Sequence, residues 1–102
     1  MIRPKVGMKV EFNAVMRPVR DNYHQPGRLG RGSSKKWTRF ESDPQQGMYI
    51  GYRFKQNGYW DYGDYDEGPY FVPQSTVEVW LVVVNDRMNP LCVLPDDCEV
   101  IG

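Results

Sequence analysis

The segment "LCVLPDDCEVI", residues 91–101, contains two short apolar runs separated by Pro-Asp-Asp. Proline fixes the backbone φ angle, and aspartate side chains accept hydrogen bonds from nearby backbone amides, so this tripeptide favours a tight turn. The runs on either side are typical of strands bounded by turn residues. The segment therefore predicts a strand, a tight turn and a short final strand.

The same succession of apolar runs and turn residues extends over the whole chain. Ten glycines and eight prolines fall between the runs, which is typical of a β protein. The other predicted strands are "GMKVEF" (7–12), "KWTRFES" (36–42), "GMYIGYRF" (47–54) and "VEVWLVVV" (77–84). The dipeptide Asn57-Gly58 predicts a hairpin turn. No stretch has the 3.6-residue apolar period of a helix, so we expect an all-β fold.

Two of these segments resemble the SH3-like barrel family. They are "VGMKVEF" (6–12) as the opening strand and "LCVLPDDCEVI" at the end of the chain. In that family a single 3₁₀ turn precedes a short final strand, and Pro95-Asp96-Asp97 occupies the corresponding place. The resemblance implies a small SH3-like barrel or strongly curled antiparallel sheet with long loops, formed by residues 1–102 as a single domain.

Length and composition indicate a folded protein of the cytoplasm. The 102 residues include seven Tyr, four Phe and three Trp, an aromatic supply that disordered chains lack. Cys92 and Cys98 are too few for a disulfide scaffold, so we expect two reduced, partly buried thiols. The N-terminus has no apolar run of a signal peptide, and no stretch approaches the roughly 18 apolar residues of a membrane span. We therefore predict a cytoplasmic location and no membrane partner.

The net charge of zero conceals two halves of opposite sign. Residues 1–40 contain ten basic and two acidic side chains, whereas residues 41–102 contain three basic and eleven acidic ones. The halves thus carry net charges of +8 and −8. This pattern is compatible with separate basic and acidic surfaces and equally with halves that interleave and neutralise each other.

Most of the positive charge lies in the basic stretch 17–39, and we predict that this stretch is a long loop up to the strand that begins at residue 36, because Pro and Gly recur there. Basic side chains with nearby aromatic rings favour nucleic-acid binding. The residues that would bind nucleic acid are Arg28, Arg31, Lys35, Lys36, Trp37 and Arg39. The alternative is a solvated loop whose arginines pair with the acidic half. The P-loop spacing that marks a nucleotide site is absent from this stretch.

The acidic counterpart is "GYWDYGDYDEGP", residues 58–69, with four aromatic rings and four carboxylates. Three interpretations remain open: a contact surface for a protein partner, an aromatic cage for a cationic ligand, or a loop that its rings hold to the core. The acids lack the EF-hand spacing, so we predict no metal. The predicted partner-binding residues are Tyr59, Trp60, Asp61, Tyr62, Asp64, Tyr65 and Asp66.

The strand "VEVWLVVV" is apolar on both faces, which raises the question of what covers the second face. We place Val77, Val79, Leu81 and Val83 inward, with Trp80, Val82 and Val84 on the other side. Burial of each outer side chain stabilises a protein by about 1.5–3 kcal/mol. We therefore expect a cover from the Tyr-rich loop, from a partner, or from a second copy in a homodimer through Val77–Val84.

Catalytic chemistry has little support in this sequence. The single histidine, His24, has no carboxylate or nucleophile at a recognisable spacing, and one histidine with two cysteines does not make a zinc site. We predict no catalytic residues and no cofactor. The sequence favours a non-enzymatic protein–protein interaction module. In size and ring content it resembles the small accessory or host-inhibitor proteins of bacteriophages.

Overall fold

The computed structural model describes residues 2–24, 31–61, 70–85 and 89–102. Within these ranges the chain forms five strands of one sheet and a single 3₁₀ turn. The strands are β1 (Lys9–His24), β2 (Arg31–Asp61), β3 (Tyr70–Val83), β4 (Leu91–Val93) and β5 (Cys98–Val100), and the turn is Pro95–Asp97. The all-β prediction is confirmed, and so is the strand–turn–strand prediction for residues 91–101.

The strand pairings form a closed ring, which is compatible with a small barrel-like fold. The order in the sheet is β2-β3-β4-β1-β5, and β2 also pairs with β1. The final strand β5 runs antiparallel to β1, with Val10 opposite Val100 and Phe12 opposite Cys98. β4 also runs antiparallel to β1, with Met16 opposite Cys92, so β4 and β5 run in the same direction and the turn at Pro95–Asp97 joins them without reversing the chain.

The chain divides into two compact units that share the long strands. Unit 1 comprises Met1–Arg17, Arg39–Phe54 and Glu78–Gly102. Unit 2 comprises Pro18–Thr38 and Lys55–Val77. The assignment of residues 1–102 to a single domain stays a prediction.

Unit 1 contains the main apolar core. In β1, Val10 and Phe12 are buried while Lys9 is exposed, as the two-residue alternation of a half-buried strand predicts. The core cluster consists of Val10, Phe12, Val15, Tyr49, Trp80, Val82, Val84 and Val93. It draws on β1, β2, β3 and β4, so each of these strands is anchored by side chains that water does not reach.

The orientation predicted for β3 is wrong. Trp80, Val82 and Val84 belong to the core cluster of unit 1, whereas on the face predicted to point inward Val79 is fully buried and Leu81 and Val83 are half-buried. The Trp80 ring packs edge-on against Tyr49 of β2, with 5.5 Å between the ring centroids. The face for which we expected a cover from the Tyr-rich loop, from a partner or from a second copy is therefore buried within the chain itself. Periodicity was unable to choose between the faces because both are apolar.

The long loop predicted for residues 17–39 is also wrong over most of its length. Residues 17–24 continue β1 and residues 31–39 begin β2, while 25–30 lie outside the described residues. Proline is tolerated in a strand where its missing N–H is not needed for pairing, and Pro18 lies within β1. A strand with solvent on one side needs few apolar residues, so a polar strand sequence has the composition of a loop.

The hairpin predicted at Asn57-Gly58 is not formed, because β2 continues through both residues. In unit 2 the Asn57 side chain accepts a hydrogen bond from the Trp37 backbone N–H at 2.6 Å and donates one to Ser75 Oγ at 3.0 Å. A straight strand would separate residues 20 positions apart by roughly 66 Å. The strand β2 therefore bends back between these residues, and the Asn57 side chain links the parts of the strand at Trp37 and Asn57.

Candidate binding site

A turn at the start of unit 1 directs the N-terminal segment onto β2. The Met8 N–H donates to the Lys5 carbonyl at 3.1 Å, and Gly7 between them has a φ of +97°, a conformation that favours glycine. The Gly7 N–H then donates to the Tyr49 carbonyl at 2.8 Å, and the Tyr49 N–H donates to the Met8 carbonyl at 2.9 Å. These bonds hold the arm, residues 2–6, beside the middle of β2.

The outward face of this part of β2 is apolar. Alternate residues Met48, Ile50, Tyr52 and Phe54 lie on one side of the strand, and we call them the β2 stripe. The exposed fractions are 45% for Met48, 38% for Tyr52 and 58% for Phe54. The rings of Tyr52 and Phe54 meet edge to face with centroids 5.7 Å apart, so they form one aromatic surface.

The guanidinium of Arg3 lies on this aromatic surface. Its Cζ is 3.7 Å from the centroid of the Tyr52 ring and 6.0 Å from that of Phe54, within the range of a cation–π interaction. The Arg3 Nε donates to Glu78 Oε1 at 2.8 Å, and Nη2 contacts the same oxygen. We call Tyr52, Phe54 and Glu78 the guanidinium site.

Charge complementarity in unit 1 extends beyond this contact. The hydrogen bond that Arg3 donates to Glu78 raises the pKa of Arg3 above its ordinary value, and burial raises the pKa of Tyr49. Arg39 donates from Nε to Asp97 at 2.8 Å and from Nη1 to Glu41 at 3.1 Å. Both arginines come from the basic half of the chain and pair with acids of the other half, so the two halves interleave at these points.

The predicted nucleic-acid-binding residues belong partly to unit 2, partly to unit 1 and partly to residues outside the described ranges, and their role stays a prediction. Arg28 lies outside the described residues, Arg31 is the first residue of β2, and Arg39 is engaged by Asp97 and Glu41. Lys36 is exposed. In unit 2 the ammonium groups of Lys35 and Lys55 lie 5.8 Å and 5.2 Å from the centroid of the half-buried Trp37 ring. Lys35 and Trp37 of the predicted set thus lie close together, and Lys55 joins them.

The predicted acidic and aromatic surface is described only at its beginning. Tyr59 and Trp60 are half-buried residues near the end of β2, and Asp61 is its last residue. The Trp60 ring packs against Phe71 in unit 2 with centroids 5.3 Å apart. Tyr62, Asp64, Tyr65 and Asp66 lie outside the described residues. Trp60 thus serves packing, and the role predicted for this segment in partner binding stays a prediction.

No protein family, curated protein or solved structure matches this chain. The site therefore has to be interpreted from its own geometry. Sequence reasoning missed Arg3, Tyr52, Phe54 and Glu78. The available signal was the alternation of apolar residues in "GMYIGYRF", whose outward face is as apolar as the face that carries the buried Tyr49. The pairing of Arg3 with Glu78, 75 residues away, left no trace in the sequence.

The remaining chemistry of the described residues is sparse. They contain no group of three or more His, Cys, Asp or Glu side chains placed to hold a metal ion. Among these residues we also find no helix with the length and apolar character to cross a membrane. Both cysteines are half-buried and form no disulfide. Burial, assisted by the charge of Asp97, raises the pKa of the Cys98 thiol to about 11, which suppresses the reactive thiolate at neutral pH.

The thiol of Cys98 is expected to make stability fall as the solution becomes alkaline. An unfolded thiol ionises near pH 8.5, so above that pH the unfolded chain releases a proton that the folded chain retains up to about pH 11. Folding is therefore stabilised below the unfolded pKa, and this contribution is lost as the pH rises through the folded pKa. Urea denaturation of the wild type and of Cys98→Ser between pH 8 and pH 11 measures it, and equal pH slopes for the two proteins would refute the assignment.

Proposed function

We propose that this chain is a non-enzymatic protein-binding module that contacts its partner through the β2 stripe. The supporting observation is the exposure of Met48, Tyr52 and Phe54 on one strand face. Exposed apolar residues that stand singly need no explanation, but a contiguous apolar patch marks an interaction surface. Tyrosine and phenylalanine also supply large contact areas with few rotatable bonds, so they suit the centre of an interface.

The fold favours such a role. The ring of pairings, the 3₁₀ turn before β5 and the pairing of β5 with β1 support the SH3-like barrel as the finer description, and such barrels expose strand faces and loops to partners. The proposal retains the cytoplasmic location, which rests on a sequence with too few cysteines for a disulfide scaffold. It also retains the resemblance to small bacteriophage accessory or inhibitor proteins, which rests on size and ring content.

A matched pair of variants tests the proposal. The double variant Met48→Ser, Phe54→Ser removes the most exposed side chains of the β2 stripe, and Ile101→Ser removes an apolar side chain of 40% exposure elsewhere in unit 1. Surface changes of this kind alter stability by only about 0.5 kcal/mol. A partner captured from the native host is purified, and its affinity for each variant is measured by calorimetry.

We expect the double variant to weaken binding by at least about 1.4 kcal/mol, a tenfold change, while Ile101→Ser binds like the wild type. Equal affinities for all three proteins would overturn the role of the β2 stripe. Loss of binding on neutralising Asp61, Asp64 and Asp66 instead would return the contact to the acidic segment.

The second candidate is a nucleic-acid-binding protein that uses unit 2. The observation that favours it is the placement of Lys35 and Lys55 beside the Trp37 ring, which combines phosphate-binding cations with a stacking surface. The same capture experiment is repeated with nuclease and with the double variant Lys35→Gln, Lys55→Gln. Loss of the captured partner on nuclease treatment, together with weaker capture by the double variant, would favour this candidate over the protein-binding module.

A further inference from the structure

We propose that the guanidinium site of Tyr52, Phe54 and Glu78 binds an arginine side chain of the partner, and that Arg3 is the internal occupant which the partner displaces. This inference rests on the proposed function, because it names the chemistry of the ligand at the β2 stripe. It also assigns a role to the N-terminal arm, residues 2–6, as an intramolecular competitor.

The geometry selects arginine over other cations. A guanidinium is planar, so it can stack on the Tyr52 ring while its N–H groups lie in the same plane and reach the Glu78 carboxylate. Arg3 makes both contacts, with Cζ 3.7 Å from the ring centroid and Nε 2.8 Å from Oε1. A lysine ammonium is a compact point charge with no flat face, so it would cover less of the ring than a guanidinium does.

The arm is held in a way that permits displacement. Its side chains Ile2 and Val6 are 94% and 72% exposed, so they contribute little apolar burial to its docking. The Arg3 side chain is itself 41% exposed in its pair with Glu78, and solvent-exposed ion pairs stabilise weakly. An arginine of the partner therefore competes with Arg3, which belongs to the same chain as the site but is only partly buried there.

The site and the β2 stripe are continuous, because Tyr52 and Phe54 belong to both. A ligand that places an arginine over Tyr52 therefore sets its neighbouring residues along the apolar face toward Met48. We infer an extended partner segment that carries one arginine flanked by apolar side chains. The arm, "IRPKV" at residues 2–6, contains the arginine that already occupies the guanidinium site, so it provides a natural probe of that site.

The test uses a synthetic peptide with the sequence of residues 1–8 and the full-length chain with Arg3→Ala, which empties the site. Binding is followed by NMR of the aromatic side chains. We expect the peptide to shift Tyr52 and Phe54 signals and to bind Arg3→Ala at least about threefold more tightly than the wild type, because removal of the occupant raises the fraction of competent sites. A peptide in which citrulline replaces arginine should bind at least about tenfold more weakly.

Specificity is controlled by adding Tyr52→Ala to Arg3→Ala, which should abolish the shifts, and Ile101→Ser, which should leave them unchanged. Absence of shifts up to about 5 mM peptide would overturn the inference, as would equal binding of the citrulline peptide. A wild-type dimer that Arg3→Ala converts to a monomer would overturn it in favour of arm exchange between copies. The peptide experiment needs no partner protein, so its failure is distinct from failure of the proposed function.

Discussion

Replacement of Trp80 by alanine is expected to lower the free energy of unfolding by about 3–5 kcal/mol. The side chain is only 4% exposed, and its ring packs against Tyr49 in the core of unit 1. Alanine would leave a cavity that neighbouring strands are unable to close, because their backbones are fixed by pairing on both sides. The free energy of unfolding of a small domain is only about 5–15 kcal/mol, so this substitution removes a large share of the stability.

Urea denaturation monitored by circular dichroism measures the loss, and Leu81→Ala provides the control. Leu81 is the next residue in β3 and is half-buried on the opposite face, so its truncation should cost clearly less. A loss for Trp80→Ala no larger than that for Leu81→Ala would mean that the Trp80 face is not the core face. Light scattering in the same series would detect a change of oligomeric state, which we do not expect.

Replacement of Gly58 by alanine is expected to be the most damaging single-methyl change in unit 2. A Cβ at this position would lie 2.2 Å from the Val72 carbonyl oxygen and 3.0 Å from the Pro73 Cα, and both are backbone atoms of β3. Overpacking costs typically 1–3 kcal/mol. The loss should reach at least about 2 kcal/mol here, because the strand pair has to separate rather than rotate a side chain.

Gln56→Ala is the matched control, since Gln56 is exposed and lies two residues earlier in the same strand. Thermal denaturation should show a near-wild-type midpoint for Gln56→Ala and a clearly lower one for Gly58→Ala. If Asn57-Gly58 instead formed a hairpin turn, alanine at Gly58 would meet no backbone atoms of β3. Equal midpoints for the two variants would therefore contradict the placement of Gly58 inside β2.

Local turn chemistry made part of the fold predictable. The strand, 3₁₀ turn and strand within residues 91–101 follow from Pro95 and the two aspartates, which act over a few residues. The alternation of Val10 and Phe12 likewise predicted the buried face of β1. These features depend on residues that are adjacent in the sequence, so the sequence alone is enough to predict them.

Features set by distant residues were not predictable in the same way. The inward face of β3 is decided by Tyr49, which packs on Trp80 from another strand. Asn57-Gly58 has the composition of a turn, yet Val72 and Pro73 approach it so closely that glycine is required within a strand. The polar ribbon that includes Pro18 resembles a loop because its strands need no apolar alternation.

The candidate site shows the same limit. The apolar alternation of Met48, Ile50, Tyr52 and Phe54 is visible in the sequence, but strand periodicity alone assigns neither face to solvent. The contact between Arg3 and Glu78 depends on the turn at Gly7 and on the pairing of Gly7 with Tyr49. Such a contact emerges only when the strands are assembled.

The β2 stripe is proposed as the surface that contacts the partner. Hydroxyl-radical footprinting tests this proposal most directly, with the whole chain measured in the absence and in the presence of the purified partner. In the free protein, Met48 and Phe54 should be oxidised at rates near those of the unfolded chain, while Tyr49 and Trp80 should be protected. Addition of the partner should protect Met48 and Phe54. Oxidation of Trp80 as fast as that of Phe54, or unchanged oxidation of Met48 and Phe54 in the complex, would contradict the assignment.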